Sequence, residues 1–253
     1  MKRNWRANRT GYSIKRGALL AVVALFFLSP PAGAATVQLS GGLTQQGFED
    51  LSREIGVATS YHTVTPAEPL GLLGFNAGLE TSFIDIREDA AYWKSALKGD
   101  APKYLFVPKI RVQKGLPLGI DVGAVYSRMS QIDTTLVGGE VKWSPLQGNP
   151  VLPAVAVRGS YTKLSGANDV DVQTYGADLS VSKGFAFVTP YVGIGQVWIR
   201  GDERSPLVAL KPARISQFRS YAGVKVDFLI VHLVAEVQHA EIPIYTTRLN
   251  VGF

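Results

Sequence analysis

"IYTTRLNVGF", residues 244–253, alternates almost without a break. Tyr245, Leu249, Val251 and Phe253 share one parity, and Thr246, Arg248, Asn250 and Gly252 share the other. A period of two over such a stretch describes a β-strand with one apolar and one polar face. Chain ends ordinarily fray, so a terminal strand this regular is expected to be tied into a sheet. What its apolar face touches decides the fold.

Working back along the chain, the alternation recurs. "FRSYAGVKVDF" (218–228) sets Phe218, Ala222, Val224, Val226 and Phe228 against Arg219, Tyr221, Gly223, Lys225 and Asp227. "FNAGLETSF" (75–83) sets Phe75, Ala77, Leu79 and Phe83 against Asn76, Gly78, Glu80 and Ser82. In "GIDVGAVYSR" (119–128), Ile120, Val122, Ala124 and Tyr126 oppose Asp121, Gly123 and Ser127. The pattern predicts ten strands, near 73–86, 104–113, 118–129, 134–144, 151–163, 171–182, 186–199, 214–228, 230–239 and 244–253. Short turns ("KGLPLG", "PLQGNP", "SKGF", "DFLI") alternate with longer polar connections ("REDAAYWKSALKGDAPK", "LSGANDVD", "GDERSPLVALKPAR"). Short at one end and long at the other is the asymmetry of an antiparallel up-and-down barrel that spans a membrane.

A soluble sandwich alternates too, so the aromatics carry more weight. With Phe253 at the short-turn end, Phe75, Trp143 and Phe228 fall on the apolar parity at that rim. Phe83, Tyr126, Tyr161, Tyr175, Trp198, Phe218 and Tyr245 fall on it near the other rim. The span from Phe218 to Phe228 is about 33 Å of strand, or about 25 Å of height at a ~40° tilt. Two aromatic levels that far apart bound an apolar band of membrane thickness. The apolar face of 244–253 is therefore expected to look into lipid, and its ladder to close the barrel against an earlier strand, because open edges are not tolerated in a bilayer.

The other end of the chain is a different kind of sequence. Residues 1–35 carry six basic residues (Lys2, Arg3, Arg6, Arg9, Lys15, Arg16) and no acidic one, then an apolar run from Gly17 to Leu28 and the small residues Ala32-Gly33-Ala34-Ala35. That order reads as a signal peptide cleaved after Ala34 or Ala35, and its apolar run is too short to span a membrane as a helix. Without those six, the remaining 20 basic residues balance the 20 acidic ones, so the net charge of +6 is no nucleic-acid footprint. There is no cysteine, hence no disulfide scaffold. Residues 36–65 form a separate segment. "TQQGFEDLSREIG" places Phe48, Leu51 and Ile55 on one helical face, and "VATSYHTVT" after it reads as a strand. The sequence leaves three placements open: inside the barrel as a plug, in the periplasm, or as one or two further strands, two of which would raise the count to twelve.

The signal-like start, the amphipathic hairpins and the C-terminal Tyr245, Leu249, Val251 and Phe253 together resemble the Gram-negative outer-membrane β-barrel proteins, over about residues 66–253. "PAEPLGLLGF" is similar to stretches of small proteobacterial barrel proteins. The resemblance implies an outer-membrane location, contact with outer-membrane lipid and lipopolysaccharide, and a terminal aromatic strand (Tyr245, Leu249, Val251, Phe253) read by the barrel-assembly machinery.

The polar parity defines what a barrel would hold inside. Basic residues assigned to it are Lys109, Arg111, Arg128, Lys142, Arg158, Arg219, Lys225 and Arg248; acidic ones are Glu80, Asp121, Glu140, Asp178, Asp227 and Glu236. Near-balance suits a lumen laced with ion pairs, and the same residues would line a narrow pore for small solutes with a weak anion preference. Lumen-side glycines (Gly78, Gly123, Gly138, Gly176, Gly193, Gly195, Gly223) remove side-chain volume. No catalytic set is expected. His62, His232 and His239 are dispersed, none stands beside a serine at i+2, and the nearest carboxylate partnership is His232 with Glu236. No metal-ligand spacing, phosphate loop or dinucleotide fingerprint is present, and no cofactor is expected. "DAAYWKSALKG" predicts a short loop helix that either exposes Tyr92, Trp93 and Leu97 or packs on itself as a loop cap, and "LVALKPAR" either a basic loop able to meet lipopolysaccharide phosphates or a solvated charge cluster. The functional expectation is a narrow passive pore or a closed structural barrel. Binding through the external loops is the alternative, and an outer-membrane hydrolase fits least.

Overall fold

In this computed structural model, residues 36–37, 39, 42–98, 103–129, 134–166 and 169–253 are described. The expected signal peptide and its cleavage site lie outside them. Ten strands follow one another in chain order: β1 (Phe75–Asp85), β2 (Tyr104–Leu116), β3 (Ile120–Met129), β4 (Thr134–Gln147), β5 (Ala154–Ser165), β6 (Val170–Ser182), β7 (Val188–Glu203), β8 (Ala213–Phe228), β9 (Val231–His239) and β10 (Pro243–Gly252). Each pairs antiparallel with its neighbours, and β10 pairs with β1 from Ile244↔Ile84 to Gly252↔Asn76, so the sheet is a closed barrel with no free edge. The final residue takes part: Phe253 and Phe75 exchange backbone hydrogen bonds of 3.0 and 3.1 Å.

The connections define two ends. The turn end carries 117–119, 148–153, 183–187 and 229–230 together with Phe75 and Phe253; of the described residues, the loop end carries 86–98, 103, 166, 169, 204–212 and 240–242. Leu118 and Leu229 take left-handed φ angles of 64° and 58° in their tight turns, a conformation that only the surrounding ladder makes tolerable for a leucine.

The outer wall is apolar between two aromatic levels. Near the loop end Phe83, Tyr126, Tyr161, Tyr175, Trp198, Phe218 and Tyr245 are exposed, and near the turn end Phe75, Trp143 and Phe228 are. Strand register lines this level into rows: Tyr161, Tyr175 and Trp198 are directly opposite one another across β5, β6 and β7, as are Phe83 and Tyr245 across β1 and β10, with the more buried Phe106 of β2 opposite Phe83. Between the levels, Ile110, Val141, Val157, Leu179, Ile194, Val237 and Val251 face outward.

Helix α1 (Gln45–Thr59) begins at Thr44, whose hydroxyl accepts from the Gly47 amide at 3.1 Å and caps an otherwise orphaned donor. The expected helical face is right but the helix runs on through Val57, Ala58 and Thr59, so the strand read in "VATSYHTVT" is corrected. Residues 60–74 add no strand to the sheet. The barrel's backbone groups are already consumed by its own ladder, so a chain inside it has no sheet edge to join; the twelve-strand alternative falls with this. Helix α2 (Ala91–Ala96) lies in the loop after β1, and the residues following it, Leu97–Lys98, bridge Thr36–Val37 through the backbone.

Candidate functional site in the barrel lumen

The interior is filled in three levels by the chain that precedes β1. At the loop end, inward positions of the strands are apolar: Ile84, Leu105, Val107, Met129, Leu136, Leu164, Val172, Val197, Ile199 and Ile244. They surround the apolar face of α1, with Phe48, Leu51 and Ile55 all buried. Contact is closest at β7. A Cβ on Gly56 would stand 2.3 Å from Ile199 Cγ2, and one on Gly201 would stand 2.4 Å from Ser52 Oγ, so only glycine lets helix and strand approach this far. Each large apolar side chain buried here contributes about 1.5–3 kcal/mol.

The cap continues into the loops. Buried Glu54 accepts from the Arg87 amide (2.8 Å), the Tyr92 hydroxyl (3.0 Å) and Trp93 Nε1 (2.5 Å), tying α2 to α1. Burial, with the Glu54 carboxylate beside it, pushes the Tyr92 phenol up to about 12. Trp93 is packed inward, as in a self-packed loop cap and not an exposed contact. Gln45 holds the loop before β8 by two amide bonds, donating to Lys211 O (3.1 Å) and accepting from Lys211 N (2.9 Å).

The middle level is charged. Residues 60–70 run down the lumen in extended form, and the wall supplies the hydrogen bonds that a strand neighbour would otherwise give. Arg219 binds Asp178 through two bonds (2.8 and 2.6 Å) and donates to Tyr61 O at 2.8 Å. Arg111 donates to Glu80 (2.7 Å) and to His62 O (2.8 Å), with its guanidinium 4.3 Å above the Tyr61 ring. Lys109 reaches Glu80 and His62 Nδ1, both at 3.1 Å; as Nδ1 accepts, the imidazole proton sits on Nε2. Glu236 accepts from Val64 N (2.8 Å) and from the Tyr191 hydroxyl (2.9 Å), and Arg248 bridges Asn76 Oδ1 (2.8 Å) and Val64 O (3.5 Å). Val64 has φ 42°, rare for a β-branched residue, and is pinned at both its backbone groups by these two side chains.

Lower still, Arg158 pairs with Glu140 at 2.7 Å and donates to Thr65 Oγ1 at 2.8 Å. Lys142 pairs with Asp121 (2.9 Å) and donates to Glu68 O (2.7 Å), while Asp121 accepts from Leu70 N (3.1 Å). Buried ions this close are tolerated because each is hydrogen-bonded and most are also paired. Lumen glycines make room for aromatic rings. A Cβ on Gly193 would meet the Tyr221 ring at 2.4 Å, and one on Gly223 would meet the Tyr191 ring at 2.4 Å.

At the turn end the segment leaves beside a cavity of about 300 Å³, bordered by Pro66, Leu70, Gln113, Lys225, His232 and Asn250. Lys225 pairs with Asp227 at 3.2 Å, and His232 Nδ1 lies 2.5 Å from Asp227 Oδ1. The expected His232–Glu236 partnership is thus replaced by His232–Asp227: the β8–β9 register sets Asp227 directly opposite His232, while Glu236 points to the interior segment.

Of the fourteen charged residues read as facing the lumen, Glu80, Lys109, Arg111, Asp121, Glu140, Lys142, Arg158, Asp178, Arg219, Glu236 and Arg248 are buried inside, and Lys225 and Asp227 are half-buried near the turn end. Arg128 is corrected. It is exposed, because alternation along β3 puts it on the face of Tyr126 and Ala124, opposite Ser127 and Asp121. The apolar upper lumen is missing from the sequence reading. Its signal lay in strand ends where both parities are apolar, such as Phe83–Ile84 and Leu105-Phe106-Val107.

No family model matches the chain, and no curated protein matches it. Among solved structures it is similar to Ail, the attachment invasion locus protein of Yersinia pestis, at 12% identity and TM-score 0.33 over 71% of this chain and 97% of that one. It is similar also to Neisserial surface protein A, at 10% identity and TM-score 0.32 over 71% of this chain and 94% of that one.

Proposed function

We propose that this protein is an outer-membrane β-barrel held closed by its own N-terminal segment, a structural barrel and not an open pore. The observation that carries this reading is the use made of the lumen charges. Arg111, Arg219, Arg248, Lys142 and Glu236 each bind a backbone group of residues 61–68 as well as, or instead of, one another. A pore needs those groups turned to water and solute; here they are desolvated against polypeptide. The apolar band and its two aromatic levels support the membrane reading, since an aqueous surface would leave that much apolar wall unsolvated. Any contact with other molecules then falls to the outer wall and to the loop-end cap built on α1 and α2.

The test is electrical. The mature chain, residues 36–253, refolded into a planar bilayer and shown to be folded, should give no discrete conductance steps. A variant lacking residues 36–70 should conduct, with a reversal potential favouring anions as the arginines lose their partners. Steps from the intact chain would overturn the closed reading in favour of a pore. Recovery of the protein in a fraction other than the outer membrane would overturn the location.

A further inference from the structure

The outer wall carries one charged row that neither the fold nor the closed lumen requires. On the outward parity of β5 to β8, just beyond the aromatic row Tyr161–Tyr175–Trp198 toward the loop end, stand Lys163, Gln173, Arg200 and Arg214. Register makes them direct neighbours: Lys163↔Gln173, Gln173↔Arg200 and Arg200↔Arg214. Two guanidinium residues opposite each other on adjacent strands repel, and such like-charge pairs destabilise a sheet. One nearby carboxylate relieves part of this repulsion, and the other is engaged outside the row. Asp202 accepts from Arg200 Nε at 2.9 Å on its own strand, and Asp171 pairs with Arg204. Lys163 and Arg214 have no ion-pair partner among the described residues.

The rest of the rim is less basic, with Arg128, two residues beyond Tyr126 on β3, its cation at this offset. At the loop end of β1, β2, β9 and β10 the outward positions hold Asp85, Tyr104, His239 and Pro243, with Glu88 and Asp89 just beyond. Three of the four strands β5 to β8 carry a cation at this offset, a denser run than the other strands hold. Height matters as well. The basic row is two residues above the aromatic row, about 7 Å along the strand, where a membrane's headgroup phosphates meet its acyl boundary.

We infer that Lys163, Arg200 and Arg214, with Gln173 between them, form a binding site for the phosphorylated headgroup of an outer-leaflet glycolipid, lipid A being the chemistry that fits. Its phosphate occupies the space between the opposed guanidinium groups, and its acyl chains lie down the wall over Tyr161, Tyr175 and Trp198. Arginine suits this role because its planar fork takes phosphate oxygens in pairs. The proposal rests on the outer-membrane reading, which supplies the leaflet.

The experiment titrates the full mature chain, folded in a zwitterionic detergent, with phosphorylated lipid A, and follows the fluorescence of Trp198 and its fellow tryptophans. The combined variant Lys163→Gln, Arg200→Gln, Arg214→Gln should bind about a hundredfold more weakly, and Arg214→Gln alone about fivefold more weakly, should the combined one fail to fold. Lys103→Gln, on the other side of the barrel, should leave affinity unchanged. Dephosphorylated lipid A and phosphatidylglycerol should bind poorly to every form. Equal affinity of intact and combined variant, or phosphatidylglycerol binding as well as lipid A, would overturn the site. The two readings fail differently: a chain that inserts into bilayers yet ignores lipid A sinks this site alone, whereas a chain that enters no bilayer sinks the membrane reading beneath it.

Discussion

The upper and middle levels of the lumen hold the same polypeptide by opposite means. Around α1 the wall offers shape and apolar area: Ile199 against Gly56, and Leu136, Leu164 and Val172 around the apolar helix face. A helix satisfies its own backbone, so its container needs only to exclude water. Around residues 60–70 the chain is extended and brings unpaired carbonyls and amides into a dry space, so the wall must answer each one, and charged side chains do so with the longest reach. The difference teaches that the polarity of a barrel's interior follows the secondary structure of what fills it. A polar lumen is no sign of water when an extended segment runs through it.

That comparison can be broken from either side. The largest expected effect is at Arg219. Replacing it with Ala strands the Asp178 carboxylate and the Tyr61 carbonyl, and should cost about 3–5 kcal/mol in urea unfolding from lipid. A loss below about 1 kcal/mol would mean that water already reaches this level. Next comes the helix seat. Gly56→Val forces a side chain into Ile199 and should cost about 1–3 kcal/mol in the same assay, with the charged level intact. If the two variants are equally sensitive to added salt, the division into apolar and charged levels is mistaken.

A smaller effect belongs to the start of α1. Thr44→Ala removes the cap on the Gly47 amide and should cost about 1 kcal/mol, seen most directly as faster hydrogen exchange in the first turn. Unchanged exchange there would show that the Gln45–Lys211 bonds hold the turn by themselves. Smallest is the exposed pair Arg87–Glu241, 2.6 Å apart with the arginine half-exposed. A double-mutant cycle should yield about 0.2–1 kcal/mol, fading with ionic strength. A value as large as that of Arg219 would show that the loop cap is far better shielded than its surface position implies.

Much of this was legible from residues alone, for a reason that also explains the failures. A barrel strand is read by parity, and parity is local: Phe218 to Phe228, Phe75 to Phe83 and Tyr245 to Phe253 declare their faces without reference to anything else. Phe48, Leu51 and Ile55 announced the helix by the same local logic. Residues 57–65 did not. "VATSYHTVT" has strand composition, and its course is decided by Arg111, Arg219 and Glu236, far away in the chain. The parity of β3 turns Arg128 outward, against what its charge alone suggests. His232 finds its carboxylate not on its own strand but in Asp227, across the β8–β9 turn. Thus the list of lumen residues was largely readable, but what each one holds was not, because the interior segment has no periodicity to advertise its path.

The meeting of Phe75 and Phe253 carries a consequence of its own. β1 begins where the interior segment leaves the lumen, and the seam that shuts the cylinder joins that first strand to the last. A helix about 10–12 Å across cannot slide through the lumen past Arg219 and Arg111 without breaking their bonds to the Tyr61 and His62 carbonyls. The wall must therefore be wrapped around its filling, with the clasp fastened last and at the final residue. Taking the molecule apart requires the same clasp to open first, so its endurance is governed by a barrier, and the relevant quantity is a lifetime.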